Sequence, residues 1–232
     1  MTGVSHKRWQ EAQEAERDFW DGFALEEFGA TVGALMQTAV WARPFLKIPA
    51  GDSLEIGVGP LGVGCTHFLS GAGPLHTLDP IEPIAADEWH LPEPCKALVR
   101  ACHNETAATY VGRAERLDFP DDRFTLVTLH NMLDHVEDPG AALREVRRVL
   151  QSGGQLVLAL DTFSALGELK YRFITRRQQR DTILVRAHPH RFSSNEVMQL
   201  VDAAGFRVEQ VDTPSPLRAT AGRCYRMRLI AA

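Results

Sequence analysis

Along the first 46 residues, apolar side chains return every three or four positions, the period of an α-helix. Trp9, Ala12, Glu16, Phe19, Trp20 and Phe23 share one face, and Phe28, Val32, Leu35, Met36, Ala39 and Val40 continue the period until Pro44 stops it. The opposite face is acidic. Such helices either pack on a core or form a lid that turns Trp9, Phe19 or Trp20 toward a ligand. From Asp52 the pattern changes to short apolar runs at 53–57, 75–79, 109–112, 124–130 and 155–161. Helical stretches near 62–71, 94–106, 139–150 and 193–204 lie between and after them. Strands separated by helices imply right-handed βαβ crossovers and a parallel sheet. The end of the chain differs. Runs at 207–213 and 224–230 are joined by a loop holding Pro214 and Pro216, without a helix, so they are expected to pair as an antiparallel hairpin.

Composition narrows the class without changing this picture. The chain has 232 residues, 44% hydrophobic and 24% charged, with 30 acids against 25 bases. Those proportions belong to a globular protein and exclude a disordered or collagen-like one. One domain with an appendage suits the length. A net charge of −5 argues against a general nucleic-acid binder. No run reaches the roughly 18 apolar residues of a membrane span, and the polar start lacks the apolar core of a signal peptide. Cys65, Cys95, Cys102 and Cys224 form no CxxC pair and fit reduced thiols, so a cytoplasmic setting is expected. The charge is unevenly placed: residues 1–165 carry −11 and residues 166–232 carry +6.

The chemistry concentrates where the first strand meets a glycine-rich turn. Residues 54–64 read LEIGVGPLGVG, with Gly57, Gly59 and Gly62 as a literal G-x-G-x-x-G. Glycines allow a tight turn, let a ligand touch backbone, and aim a helix start at it. The pattern alone is also the dinucleotide fingerprint of nicotinamide dehydrogenases. Glu55 shifts the balance, because a carboxylate beside the turn repels a pyrophosphate and suits a zwitterionic amino-acid group. Asp79 ends the next strand, where a carboxylate can accept from both ribose hydroxyls.

Farther on come YVGRAERLDF (110–119), DDRFTLVTLHNMLDHVED (121–138) and PGAALREVRRVLQSGG (139–154). With these segments in this order, the sequence resembles a class I S-adenosylmethionine-dependent methyltransferase of the group that includes the ubiquinone-type enzymes. The resemblance covers about residues 50–160. It implies a Rossmann-like, doubly wound α/β fold: a mostly parallel seven-stranded sheet, an antiparallel C-terminal hairpin and an N-terminal helical lid. It sets residues 1–48 as the lid, 49–232 as the core, and 162–192 as an insertion over the acceptor pocket.

The resemblance also implies roles. Glu55, Gly57 and Gly59 would line the methionine part of S-adenosyl-L-methionine, with Gly62 standing in for a glycine that relatives carry where this chain has Leu61. Asp79 would hold the ribose, Ala114 and Glu115 the adenine, and His130 or Asn131 the sulfonium side. Arg113 stands where many relatives have an aspartate, which leaves the adenine amino contact to Glu115 or backbone. Histidine suits a general base near neutral pH, and His135 and His190 are the candidates, each with a structural alternative as a loop tie. No acid or cysteine joins His188 and His190 at ligand spacing, so no metal is expected there. Arg176 and Arg177, in a basic run with Lys170, Arg172 and Arg180, are either a solvated helix face or contacts to an anionic small-molecule acceptor. Two rivals stay open: a nicotinamide-dependent oxidoreductase on a similar sheet, and a non-catalytic S-adenosylmethionine-binding partner protein. Acceptor, methylated atom and oligomeric state are not legible.

Overall fold

The computed structural model describes residues 3–47, 50–163, 186–212 and 223–231, with backbone alone at 223–225. Two helices open the chain, α1 (His6–Asp21) and α2 (Leu25–Ala42). Ser5 caps α1, its hydroxyl accepting from the Arg8 N–H at 3.2 Å. Gly22 closes α1 by donating its N–H to the Phe19 carbonyl. The Glu27 carboxylate accepts the Ala24 N–H at the start of α2.

The strands are β1 (Asp52–Ile56), β2 (Leu75–Asp79), β3 (Thr106–Val111), β4 (Phe124–His130), β5 (Leu150–Thr162), β6 (Phe206–Asp212) and β7 (Arg223–Ala231). They form one sheet in the order β3-β2-β1-β4-β5-β7-β6. Every pair from β3 to β5 is parallel, while β7 runs antiparallel to both β5 and β6. The expected hairpin is therefore present, with β7 inserted between its partner and the parallel strands. Helices α3 (Glu93–Glu105), α4 (Pro139–Val149) and α5 (Ser194–Ala203) complete the α-helices among the described residues. Ser193 and Glu196 form a reciprocal capping box at α5.

The helix expected over 62–71 is not there. A single 3-10 turn, Cys65–Phe68, takes its place. Gly62 and Gly71 adopt φ of 66° and 87°, left-handed values that a right-handed helix cannot include. The fifth strand also starts earlier than expected, at Leu150. Its register against β4 slips after Phe124, where Gly153 at φ 76° lets the chain bulge.

Alternation along the strands divides two cores. Leu156, Leu158 and Leu160 of β5 pack with Leu143 and Val146 of α4 and Val197 of α5. Val157 points the other way and packs with Leu126, Ala39 and Ala42, so α2 covers the opposite face. The second helix is thus a core layer, not only a cover. Phe23, Trp89 and Val99 join α3 to the N-terminal helices in a third cluster. Among the described residues, no helix is long and apolar enough to cross a membrane.

Candidate active site

The sheet order reverses between β1 and β4, and open α/β sheets bind ligands beyond the carboxyl ends of strands at such a switch point. A cavity of about 460 Å³ lies there. Its floor is the end of β1 and its glycine turn, and its roof comes from α1 and α2. Gly57 and Gly59 adopt φ of 86° and 60°. A Cβ on Gly57 would sit 2.4 Å from the Met132 Cβ, and one on Gly59 would sit 2.5 Å from the Trp20 ring. Both positions need glycine for conformation and for space.

Asp79 pins this turn from the end of β2. Its Oδ2 accepts from the Gly59 N–H at 2.7 Å and its Oδ1 from the Ile81 N–H at 2.8 Å. Each oxygen keeps a lone pair for a further donor, and the residue lines the cavity. Burial pushes the Asp79 carboxyl up to about 6, against the pull of those two N–H groups.

Two expected cofactor residues are elsewhere. Glu55 alternates away from the cavity, 1% exposed, and its two oxygens accept from the N–H groups of Cys65 and Thr66 at 2.7 and 2.8 Å. It is the acceptor for a helical turn start, not a cavity-lining acid. Gly62 faces His103, whose Nε2 lies 2.6 Å from a Cβ built there, and it does not border the cavity. A prediction separates the two kinds of acid. Glu55→Gln replaces one acceptor by a donor facing an N–H, which costs about 2–3 kcal/mol. Thermal unfolding should fall by roughly 5–10 °C, with S-adenosylhomocysteine affinity changed less than threefold. A large affinity loss at unchanged stability would return Glu55 to the ligand.

Ala114 and Glu115 do border the cavity. Glu115 Oε1 accepts from the N–H groups of Glu137 and Asp138, at 2.7 and 3.3 Å, so it also fixes the loop after β4. Arg113 lies 4.0 Å over the Trp9 ring and reaches Glu137 at 2.8 Å. Arg113 therefore clamps α1 to this loop. His130 and Asn131 follow at the mouth of β4. Asn131 adopts φ 50° and donates its N–H to the Ala159 carbonyl. Burial depresses the His130 imidazole, whose Nε2 is buried without a hydrogen-bond partner among the described residues.

His135 borders the same space, and its Nδ1 lies 2.6 Å from Glu16 of α1. Burial alone would depress this imidazole, but the Glu16 and Asp134 carboxylates outweigh it and push it up to about 9. Glu16 is lowered in turn: burial raises it, and the neighbouring His135 more than compensates. His188 is beside them, its ring 4.3 Å from that of His135. His190 is not at the cavity. Its Nε2–H donates to the Val136 carbonyl at 3.0 Å and its ring stacks on Phe192, so the expected catalytic role gives way to a loop tie. Arg176 and Arg177 lie outside the described residues.

The structure thus gathers Gly57, Gly59, Asp79, Ala114, Glu115, His130, Asn131 and His135 around one space. Sequence reasoning missed the pairing of Glu16 with His135. Helical periodicity puts Glu16 on the face that carries Trp9 and Trp20, but no sequence signal names its partner across 119 positions.

Comparison with known proteins agrees with this geometry. Residues 55–158 match the family model described as "Methyltransferase domain". The "Uncharacterized protein YafE" of Escherichia coli (strain K12) is 34% identical over 106 residues, 45% of this chain and 49% of that protein. The "Ubiquinone/menaquinone biosynthesis C-methyltransferase UbiE" of Shewanella oneidensis is 47% identical over 142 residues, 60% of this chain and 47% of the relative. The matches span about half the length of each of these two relatives. Among solved structures, Burkholderia thailandensis 1,6-didemethyltoxoflavin-N1-methyltransferase, with bound 1,6-didemethyltoxoflavin and S-adenosylhomocysteine, superposes with a TM-score of 0.63 at 16% identity. That match covers 94% of this chain and 86% of the other. Residues 55–158 thus match a methyltransferase-domain model, and the chain shares the fold of that solved methyltransferase.

Proposed function

We propose that this protein transfers a methyl group from S-adenosylmethionine to a small-molecule acceptor, with residues 1–48 roofing the site as a lid. The observation that carries the reading is that the glycine turn, Asp79 and the Ala114–Glu115 pair, distant in sequence, border one cavity. The residues present fit the cofactor. The left-handed glycines leave a cradle that any Cβ would fill, and Asp79 retains acceptor capacity for two ribose hydroxyls. His130 Nε2 is a buried polar atom still in want of a partner.

When bound, the cofactor supplies an electrophilic methyl on a sulfonium, so the protein's task is chiefly positioning. The backbone of Gly57 and Gly59 would approach the methionine part, Asp79 would fix the ribose, and Ala114 with Glu115 would flank the adenine. His130 and Asn131 would border the sulfur side. His135, braced by Glu16, would face the acceptor. The basic segment with Arg176 and Arg177 would favour an anionic acceptor, and replacing both by alanine should then raise the acceptor KM about tenfold with S-adenosylhomocysteine affinity unchanged.

The test is a ligand-dependent melt of the full chain followed by a labelled-methyl screen. S-adenosylhomocysteine should raise the melting temperature and NADH should not. The reverse result would overturn the reading in favour of a nicotinamide enzyme. Labelled methyl should also appear in a low-molecular-weight product. Its absence across broad metabolite pools, with the cofactor bound, would favour a non-catalytic binding protein.

A further inference from the structure

We propose that Asp134, His135 and His188 form a binding site for one divalent transition-metal ion at the edge of the cavity, with Glu16 bracing His135 from behind. One ligand atom from each of the three lies within 4.8 Å of the other two. Asp134 Oδ2 is 3.6 Å from His188 Nε2, and Asp134 Oδ1 is 3.9 Å from His135 Nε2. These separations are too long for hydrogen bonds. Donors bound about 2.0–2.2 Å from one tetrahedral ion sit roughly 3.3–3.6 Å apart, so the three groups would draw together onto a shared centre when the ion binds.

Two further observations point to a ligand. The Asp134 side chain is only 7% exposed, yet its Oδ1 is buried with no hydrogen-bond partner among the described residues. A buried carboxylate left so is costly unless a charge offsets it. Separately, Glu16 Oε2 lies 2.6 Å from His135 Nδ1. Ligating histidines almost always keep a carboxylate or carbonyl at their second ring nitrogen, and Glu16 stands there as an ion-pair contact rather than an aligned hydrogen bond. Here that leaves Nε2, the atom that faces Asp134.

The frame around the cluster is tied down. Arg8 of α1 donates to the carbonyls of Arg186 and His188, at 2.8 and 3.4 Å, and the His190 N–H donates to the Asp134 carbonyl at 3.2 Å. Two imidazoles and one carboxylate suit zinc, iron, nickel or cobalt over magnesium or calcium. His135 and His188 both border the cavity, so the coordination positions left open face it. An acceptor with an oxygen or nitrogen able to coordinate the ion would be held there. That last role rests on the methyltransferase reading; ion binding itself does not.

The experiment titrates chelator-stripped full-length protein with Zn²⁺ by calorimetry and with Co²⁺ by visible absorption. We expect one ion per chain and a Co²⁺ spectrum of low-symmetry nitrogen and oxygen ligation. His188→Ala and Asp134→Asn should weaken binding at least a hundredfold, and Glu16→Gln at least tenfold. S-adenosylhomocysteine binding, measured by thermal shift on the same samples, reports folding of each variant, and His188→Gln replaces any variant that fails to fold. No stoichiometric ion in the wild type, or equal binding in a folded His188 variant, overturns the proposal. Ion binding without S-adenosylhomocysteine binding would sink the methyltransferase reading and leave the metal site standing; the converse would do the opposite.

Discussion

Asp79→Ala weakens S-adenosylhomocysteine binding by about a hundredfold, near 3 kcal/mol, if the carboxylate takes both ribose hydroxyls through charge-assisted bonds. Calorimetry on the full chain reads this directly, and an unchanged Kd would remove Asp79 from the site. The same residue gives the binding a pH dependence with a fixed sign. Its folded carboxyl titrates at about 6, raised by burial from an ordinary 3.8. The ligand needs the ionised form, so affinity should hold above pH 6 and fall up to tenfold per unit below it. For the ligand-free protein the linkage runs the other way. The folded state binds this proton more tightly than the unfolded state, so Asp79's contribution favours folding at low pH and is lost as pH rises from about 4 to about 6. Flat affinity between pH 5 and 8 would mean that another group meets the ribose.

Gly57→Ala should be strongly destabilising. It forces a non-glycine residue to φ 86°, which costs about 1–3 kcal/mol. It also drives a Cβ to 2.4 Å from Met132, an overpacking of similar cost. The sum, roughly 2–6 kcal/mol, predicts a fall in melting temperature of about 5–20 °C and loss of S-adenosylhomocysteine binding, because the turn carries the Gly59 N–H to Asp79. A melting temperature within 2 °C of wild type would mean that the turn relaxes freely. Gly153→Ala is the contrast, since it shares a left-handed φ of 76° but meets no atom within 4 Å. It should show the conformational cost alone.

The strand periods, the glycine turn and Asp79 were legible because each is a local pattern that its own backbone enforces. The misreadings share one cause. Glu55 and Gly62 stand in the right motif but point to the wrong side: β1 alternates, so Leu54 and Ile56 enter one core and Glu55 faces the 3-10 turn. A period of two tells which residues share a face and does not tell which face meets the ligand. The helix expected at 62–71 failed for a similar reason. Its apolar spacing was sound, but glycines at both ends adopt left-handed φ. His190 looked equivalent to its neighbours in the run HPHRFS, and only packing against Phe192 and the Val136 carbonyl separates it from His188.

By itself the sequence determined the α/β alternation, the closing antiparallel strand and the methyltransferase-domain motifs within residues 55–158, since these depend on patterns within a few residues. Tertiary structure decided the rest. It made α2 a core layer through Ala39 and Ala42, and turned Arg113 into a clamp over Trp9. It also placed Glu16, Asp134, His135 and His188 within a few ångströms of one another. Those groups come from three segments far apart in the chain. Their meeting depends on how helices pack across a sheet, and no local spacing rule encodes it.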